Sequence, residues 1–363
     1  METYRRNIKP SQRFEYGVYQ VLDQFFGRER MVKLLGGRRK AFYKRLHKTL
    51  KKSGDGKTIE IERRTDLSLK EFRKNYLKKG IPVIMEGAAN EWDCVKKWSF
   101  EYFKQLHGTD EVAMLDDKDK KNFEIMTLAD IMDNIQGGGK KYYRFYPLLS
   151  RHPEHIKDFD YEWLRERRNN NTLIEEFRVM MGGKDTTTGL HIENRGNLFV
   201  QTYGEKKWIL YPPYYTSVLD PKPVRFAYRS VQVTPEKGGF NPFNPKYEPP
   251  YNLYKYIDHY ETILKPGDVL WVPTFYWHTV VNTTNSIGVG YRWFNLFVGF
   301  KTAPLYMFLD FVSTKPPIWK VIKLFKEDIN VLLIAQRGKL DKYRKESEGR
   351  IVIPKVKVTE TVK

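Results

Sequence analysis

Cysteine is almost absent from this chain: Cys94 stands alone among 363 residues. One thiol excludes an intramolecular disulfide framework and any thiolate-rich metal cluster. Cys94 reads as a small buried apolar residue rather than a nucleophile. Long hydrophobic runs are lacking too. No stretch approaches the roughly 20 apolar residues of a spanning helix, and Met1-Glu2-Thr3-Tyr4-Arg5-Arg6 opens onto no secretory apolar segment. The expectation is an intracellular protein, cytoplasmic or, in a eukaryote, nuclear, that is soluble or peripherally attached to a membrane.

Negative charge is scarce. The chain carries 64 Lys and Arg against 44 Asp and Glu, a formal net charge of +20. The excess sits at the ends: residues 1–56 hold 15 basic against 5 acidic side chains, and residues 301–363 hold 14 against 7. The middle is nearly balanced, so the charge says little about what enters a site there. Basic ends of this kind suit RNA or an anionic membrane; equally, they are solvated helix faces that keep the protein dispersed.

Aromatic residues are plentiful, with 24 Tyr, 22 Phe and 8 Trp, enough to build a deep core and a ring-lined pocket. The spacing of Phe14, Val18, Val21, Leu22, Phe25 and Phe26 predicts an amphipathic helix over residues 12–26, stopped by Gly27. A basic helix follows from about Glu29 to Lys52, interrupted near Gly36-Gly37. Ser53-Gly54-Asp55-Gly56 marks a boundary.

Beyond it, Ile59 to Arg63 and Pro82 to Gly87 read as strands, with a helix between them capped by Ser68 and Glu71. Thr127 caps a further helix closed by Gly137, and Lys141 to Tyr146 is again strand-like. From Thr186 to about Phe300 short strands alternate with Gly, Pro and Asn turns. Leu198–Tyr203 and Lys207–Tyr211 read as one hairpin across Gly204-Glu205. Residues 221–254 form a long loop over a barrel mouth. After residue 302 the period turns helical, with a last helix from about Ile318 to Gln336.

The chemistry concentrates at His191-Ile192-Glu193 and at Trp277-His278. On a strand His191 and Glu193 project from one face. Two neutral imidazoles plus one carboxylate, with coordination positions left open, are what a non-haem Fe(II) oxygenase needs. Parity adds Asn197, Phe199 and Gln201 to the same interior face, and a polar interior demands polar partners. Trp271, Trp277 and Trp293 read as barrel packing, and His107 and His259 as ordinary core or surface residues. Tyr228 and Tyr251 are minor candidates for substrate contact.

The run Thr188…His191-x-Glu193…Asn197-Leu198-Phe199-Val200-Gln201-x-x-Gly204-x-Lys206-x-Trp208-x-Leu210-Tyr211-Pro212-Pro213 precedes Lys265-Pro266-Gly267-Asp268-Val269-x-x-Val272-Pro273-x-x-Tyr276-Trp277-His278. Together these segments resemble the JmjC-domain, cupin-like 2-oxoglutarate oxygenases, in the style of the factor-inhibiting-HIF-like hydroxylase branch, over roughly residues 58–300. The resemblance implies a mainly β fold, a double-stranded β-helix of jelly-roll type, with flanking N-terminal and C-terminal helices. It divides the chain into a basic helical extension (1–56), a catalytic domain (57–300) and a second basic helical extension (301–363) that in relatives often forms a homodimer.

The resemblance also implies Fe(II) held by His191, Glu193 and His278, with 2-oxoglutarate and O2 as co-substrates. Lys206 matches the lysine that pairs with the distal carboxylate of 2-oxoglutarate. Thr188 and Tyr143 match groups that hydrogen-bond the same carboxylate, and Asn197 matches a position near the co-substrate. Parity turns the rival Lys207 outward.

Two departures stand out. Glu193 replaces the Asp more usual in this branch, as in some JmjC demethylases. Arg292 stands where some relatives carry a small polar residue; pointing inward, it would pair with the C1 carboxylate of 2-oxoglutarate or an acidic substrate. The expected activity is hydroxylation of a protein side chain. Hydroxylation of a modified tRNA base and N-methyl demethylation use the same machinery. A non-catalytic cupin-fold binding protein, held to nucleic acid or membrane by its basic ends, is the reading of a different class.

Overall fold

The structure, a computed structural model, describes residues 3–115, 123–146, 148–231 and 240–315. Strands β1 (Thr58–Glu60), β2 (Arg63–Arg64) and β3 (Val83–Met85) come first; β4 (Glu111–Leu115) and β5 (Phe123–Thr127) pair as a small separate sheet. Then follow β6 (Tyr142–Tyr146), β7 (Ile174–Gly182), β8 (Thr187–Ile192), β9 (Arg195–Tyr203) and β10 (Lys206–Tyr211). The last five are β11 (Arg229–Ser230), β12 (His259–Leu264), β13 (Val269–Val272), β14 (Trp277–Asn282) and β15 (Ser286–Phe294).

One sheet runs β1-β12-β10-β14-β8-β11, and the other β2-β3-β13-β9-β15-β7-β6. Alternation along the strands builds three hydrophobic layers. Phe199, Trp208, Leu210, Leu270 and Val272 fill one cluster together, although they come from both sheets. Leu198, Val200, Trp271 and Trp293 belong to a second, with Phe103 and Ile131 from the helices on the seven-stranded side. Leu190, Ile192, Ile209 and Trp277 join a third with Tyr16, Phe42, Leu46 and Leu50. This is the double-stranded β-helix with flanking helices.

Several local expectations are corrected. β9 and β10 do not pair as a hairpin: β9 bonds β13 and β15, whereas β10 bonds β12 and β14. Gly204, at φ 65°, turns the chain from one sheet to the other. The segment Ile59–Arg63 is likewise split, since β1 lies parallel to β12 and β2 parallel to β3. The β-rich part begins earlier than Thr186, because β7 already spans Ile174–Gly182. Ser68 accepts a hydrogen bond from Glu71 N at 3.2 Å, but the Glu71 carboxylate turns to Arg64 instead of closing a capping box. Thr127 and Asp130 do form both halves of one.

Helix α1 (Pro10–Phe26) shows its expected core stripe to solvent: Phe14 is 76% and Phe26 57% exposed. Its buried face is Gln12, Tyr16, Tyr19, Gln20, Asp23 and Gln24. Those polar groups are buried because each has a partner: Asp23 pairs with Arg28 and Arg39, Gln20 donates to Asp220, and Gln24 donates to Val224 O. Helix α2 (Arg28–Lys52) runs unbroken through Gly36-Gly37. Two glycines cost about 1 kcal/mol each in a helix, which the burial of Phe42, Leu46 and Leu50 outweighs. Helices Leu296–Thr302 and Pro304–Ser313 close the described chain; the helix expected at 318–336 lies outside the described residues. Among the described residues, no helix is long and apolar enough to cross a membrane.

Candidate active site

β8 ends at Ile192, so Glu193 stands in the turn just past the strand rather than on it. Phe275 N donates to Glu193 O at 3.0 Å and ties that turn to the loop before β14. His278, near the start of β14, is the register partner of His191, and the two rings lie 4.1 Å apart between centroids.

Each imidazole bonds a backbone carbonyl through Nδ1: His191 to Gly189 O at 2.7 Å and His278 to Tyr276 O at 3.0 Å. A carbonyl only accepts, so Nδ1 carries the proton and Nε2 keeps its lone pair. Burial holds His278 below the usual imidazole range, against the opposing pull of Glu193, which preserves that lone pair. Glu193 Oε1 lies 3.8 Å from His191 Nε2. These three side chains line one cavity of ≈ 490 Å³ together with Thr188, Lys206 and Arg292.

Lys206 is fully buried and donates to Asn282 Oδ1 at 2.6 Å, with its ammonium 5.3 Å from the Tyr142 ring centroid. Burial pushes its pKa down to about 7. Asn282 is held in turn by Thr186 and Ser286. Lys207 turns outward to Glu261. The Thr188 hydroxyl accepts from Val280 N at 3.1 Å. Asn197 is buried, and among the described residues its Oδ1 finds no donor.

Tyr143 is not where the resemblance implied. It packs into the cluster outside the barrel, and its neighbour Tyr142 lines the cavity instead. Tyr143 is the register partner of Met181, which packs in the same outer cluster, a pairing that a sequence pattern cannot reveal. Arg292 points inward, but its Nη1 bonds both oxygens of Glu193, at 3.2 and 2.9 Å. The expected partner was a ligand carboxylate; the observed one is the protein's own.

Three charged residues of the cavity were not foreseen. Glu176 and Arg178 lie on β7, and Arg195 opens β9. Glu176 pairs with both arginines; the signal was the alternation Glu176, Arg178, Met180 along a strand that had not been recognised. Tyr228 comes from the long loop and stacks on His191 at 4.7 Å. It is carried there by β11, whose Ser230 is the register partner of His191. The cavity thus holds Arg178, Arg195, Lys206 and Arg292 against two carboxylates, Glu176 and Glu193.

The donor set fits a divalent iron ion: two imidazole nitrogens with fixed tautomers and one carboxylate. The surplus positive charge, and Lys206 with only neutral neighbours among the described residues, fit an anionic organic ligand.

The sequence profile of the cupin-like domain matches residues 69–298. The chain belongs to the cupin-like domain family. Among curated relatives it is similar to lysine-specific demethylase 8 of Xenopus tropicalis, 29% identical over 238 residues, covering 62% of this chain and 51% of that one. It is similar also to the 2-oxoglutarate and iron-dependent oxygenase JMJD4 of Danio rerio, 25% identical over 264 residues and covering 65% and 60% of the two chains. A third relative is tRNA wybutosine-synthesizing protein 4 of Emericella nidulans, 26% identical over 264 residues, with 67% of this cupin-like chain and 23% of that one covered. The chain spans between half and three fifths of the first relatives it matches.

Proposed function

We propose that this cupin-like protein is an Fe(II)- and 2-oxoglutarate-dependent oxygenase, with His191, Glu193 and His278 as iron ligands. The observation that supports it most is Lys206, an amine sealed into the cavity of those ligands with, among the described residues, no carboxylate beside it. The distal carboxylate of 2-oxoglutarate is the anion Lys206 lacks, with Thr188 as a neighbouring hydroxyl and Asn197 as a further polar lining group. When bound, iron and 2-oxoglutarate supply an O2-dependent oxidation of a C–H bond, releasing succinate and CO2.

The chain's own residues prepare the site. The Nδ1 bonds of His191 and His278 fix both lone pairs inward, Arg292 holds the Glu193 carboxylate in one orientation, and the Tyr228 ring shields His191 from water. Residues 57–300 serve as the catalytic domain, with 1–56 and 301–363 as basic extensions. Hydroxylation of a protein side chain is the favoured reaction, inside the cell. N-methyl demethylation and oxidation of a tRNA base are the alternatives, in line with the names of the relatives.

The test is succinate release from 2-oxoglutarate with Fe(II), in wild type and His278→Ala. A signal in wild type that vanishes in the variant supports the reading. Equal background in both overturns it and leaves a cupin-fold binding protein whose basic ends engage nucleic acid or an anionic membrane.

A further inference from the structure

Three imidazoles gather outside the barrel, where the proposed oxygenase chemistry does not use them. His107 ends the helix Phe100–His107, and His152 and His155 flank and occupy the short 3-10 turn Pro153–Asp158. The Nε2 atoms of His107 and His155 meet at 2.7 Å, both side chains being buried. Ligand atoms of His107, His155 and Glu154 all lie within 4.8 Å of one another. Glu154 is exposed, at the open side of the group.

The surroundings prepare the nitrogens. Asp158 accepts from His155 Nδ1 at 2.7 Å and also from Trp98 Nε1 at 2.8 Å. The carboxylate accepts a hydrogen bond from Nδ1–H and keeps the proton there, so His155 Nε2 carries a lone pair, the carboxylate–histidine arrangement that orients metal ligands. His107 is stacked on His152 with 3.5 Å between centroids, and Asp110 anchors His152 at 2.8 Å while accepting from Tyr146 at 2.7 Å.

We infer that His107, His155 and Glu154 form a second, separate site for a divalent transition ion of the zinc class. Two nitrogens and one carboxylate oxygen are a usual zinc donor set, with water as the fourth ligand. At zinc–nitrogen distances of about 2.0–2.1 Å, tetrahedral nitrogens stand about 3.3 Å apart. The His107 proton moves from Nε2 to Nδ1, the ion takes its place between the two Nε2 atoms, and the rings part by about half an ångström. The ion would clip the helix Phe100–His107 to a segment some 48 residues away, closing a long loop.

The experiment is equilibrium dialysis of the full chain, stripped with a chelator, against zinc alone, with unfolding temperature read in parallel. Four proteins are compared: wild type, His191→Ala/His278→Ala, His107→Gln/His155→Gln, and Glu154→Gln. One equivalent retained in the barrel variant, and one fewer than wild type in the His107/His155 variant, is the expected result. Glu154→Gln, at the exposed mouth, keeps the apo unfolding temperature but weakens that equivalent about 10-fold or more. If the barrel binds no metal, the wild type holds one equivalent that only the His107/His155 and Glu154 variants affect, and the inference stands apart from the oxygenase reading. It is overturned if the barrel variant binds none, or if the His107/His155 variant binds as much as wild type.

Discussion

Among the described residues Lys206 has an amide oxygen and a ring for company in the barrel, and its burial has a consequence in pH. Its folded pKa of about 7 lies below the roughly 10.4 of a free lysine. Between those values the unfolded chain binds the proton and the folded chain does not, so stability rises with pH across that window. Chemical denaturation of the ligand-free protein from pH 7 to 10 should show the rise, and Lys206→Met should flatten it. An anion arriving at Lys206 restores its charge. Calorimetry at pH 8.5 in buffers of different ionisation enthalpy should therefore show proton uptake with 2-oxoglutarate in wild type and none in Lys206→Met.

The triad and Lys206 were legible because His-x-Glu, a distant Trp-His and strand parity are local patterns. The Arg292–Glu193 pair was not: it depends on β15 lying beside β9 and on β8 ending one residue before the carboxylate. Tyr143 lies outside the barrel for the same kind of reason: it is the register partner of Met181, which packs in the same outer cluster, and that depends on β6 lying beside β7.

At the scale of elements, α1 shows how periodicity finds a helix without telling which face is buried. Its apolar stripe is real, but the Asp23 ion pairs and the Gln20 and Gln24 hydrogen bonds decide the packing. Phe14→Ser should change stability by less than about 0.5 kcal/mol, whereas Tyr16→Ala, on the buried face, should cost about 3 kcal/mol; urea titrations separate the two. The β9–β10 connection makes a matching point. Two alternating runs around a glycine describe a hairpin and a sheet-to-sheet crossing equally well, and only closure of the barrel chooses. A side chain at Gly204 would run into the backbone carbonyl of Asn285 at a backbone angle that L-residues avoid. Gly204→Ala should cost about 1–3 kcal/mol in the same titration.

Across the whole molecule, the basic N-terminal extension is part of the body. Arg5 pairs with Asp258 at 2.6 Å and donates to Ser53 O and Asp55 O, while α1 and α2 cover the outer face of the six-stranded sheet. Burial would raise the Asp258 pKa, but its hydrogen bonds from Arg5 prevail and hold it below the usual carboxylate range. That contribution is present above about pH 4 and is lost as pH falls through the depressed value. Arg5→Met should shift the acid-unfolding midpoint to higher pH, followed by circular dichroism. The charge excess at the ends was plain from composition; that one end is structural was not, since its partner Asp258 lies about 250 residues away.

Asp310, on the helix Pro304–Ser313, is fully buried; it pairs with Arg229 at 2.7 Å and accepts from Asn194 at 3.0 Å. Asn194 follows Glu193, and Arg229 follows Tyr228. One carboxylate beyond the last barrel strand thus moors both the turn that presents Glu193 and the flap that shelters His191. Asp310→Asn should cost about 3–5 kcal/mol. A chain cut after Phe294 would keep every residue lining the pocket and still lose the pocket, because its keystone is fastened from outside the arch.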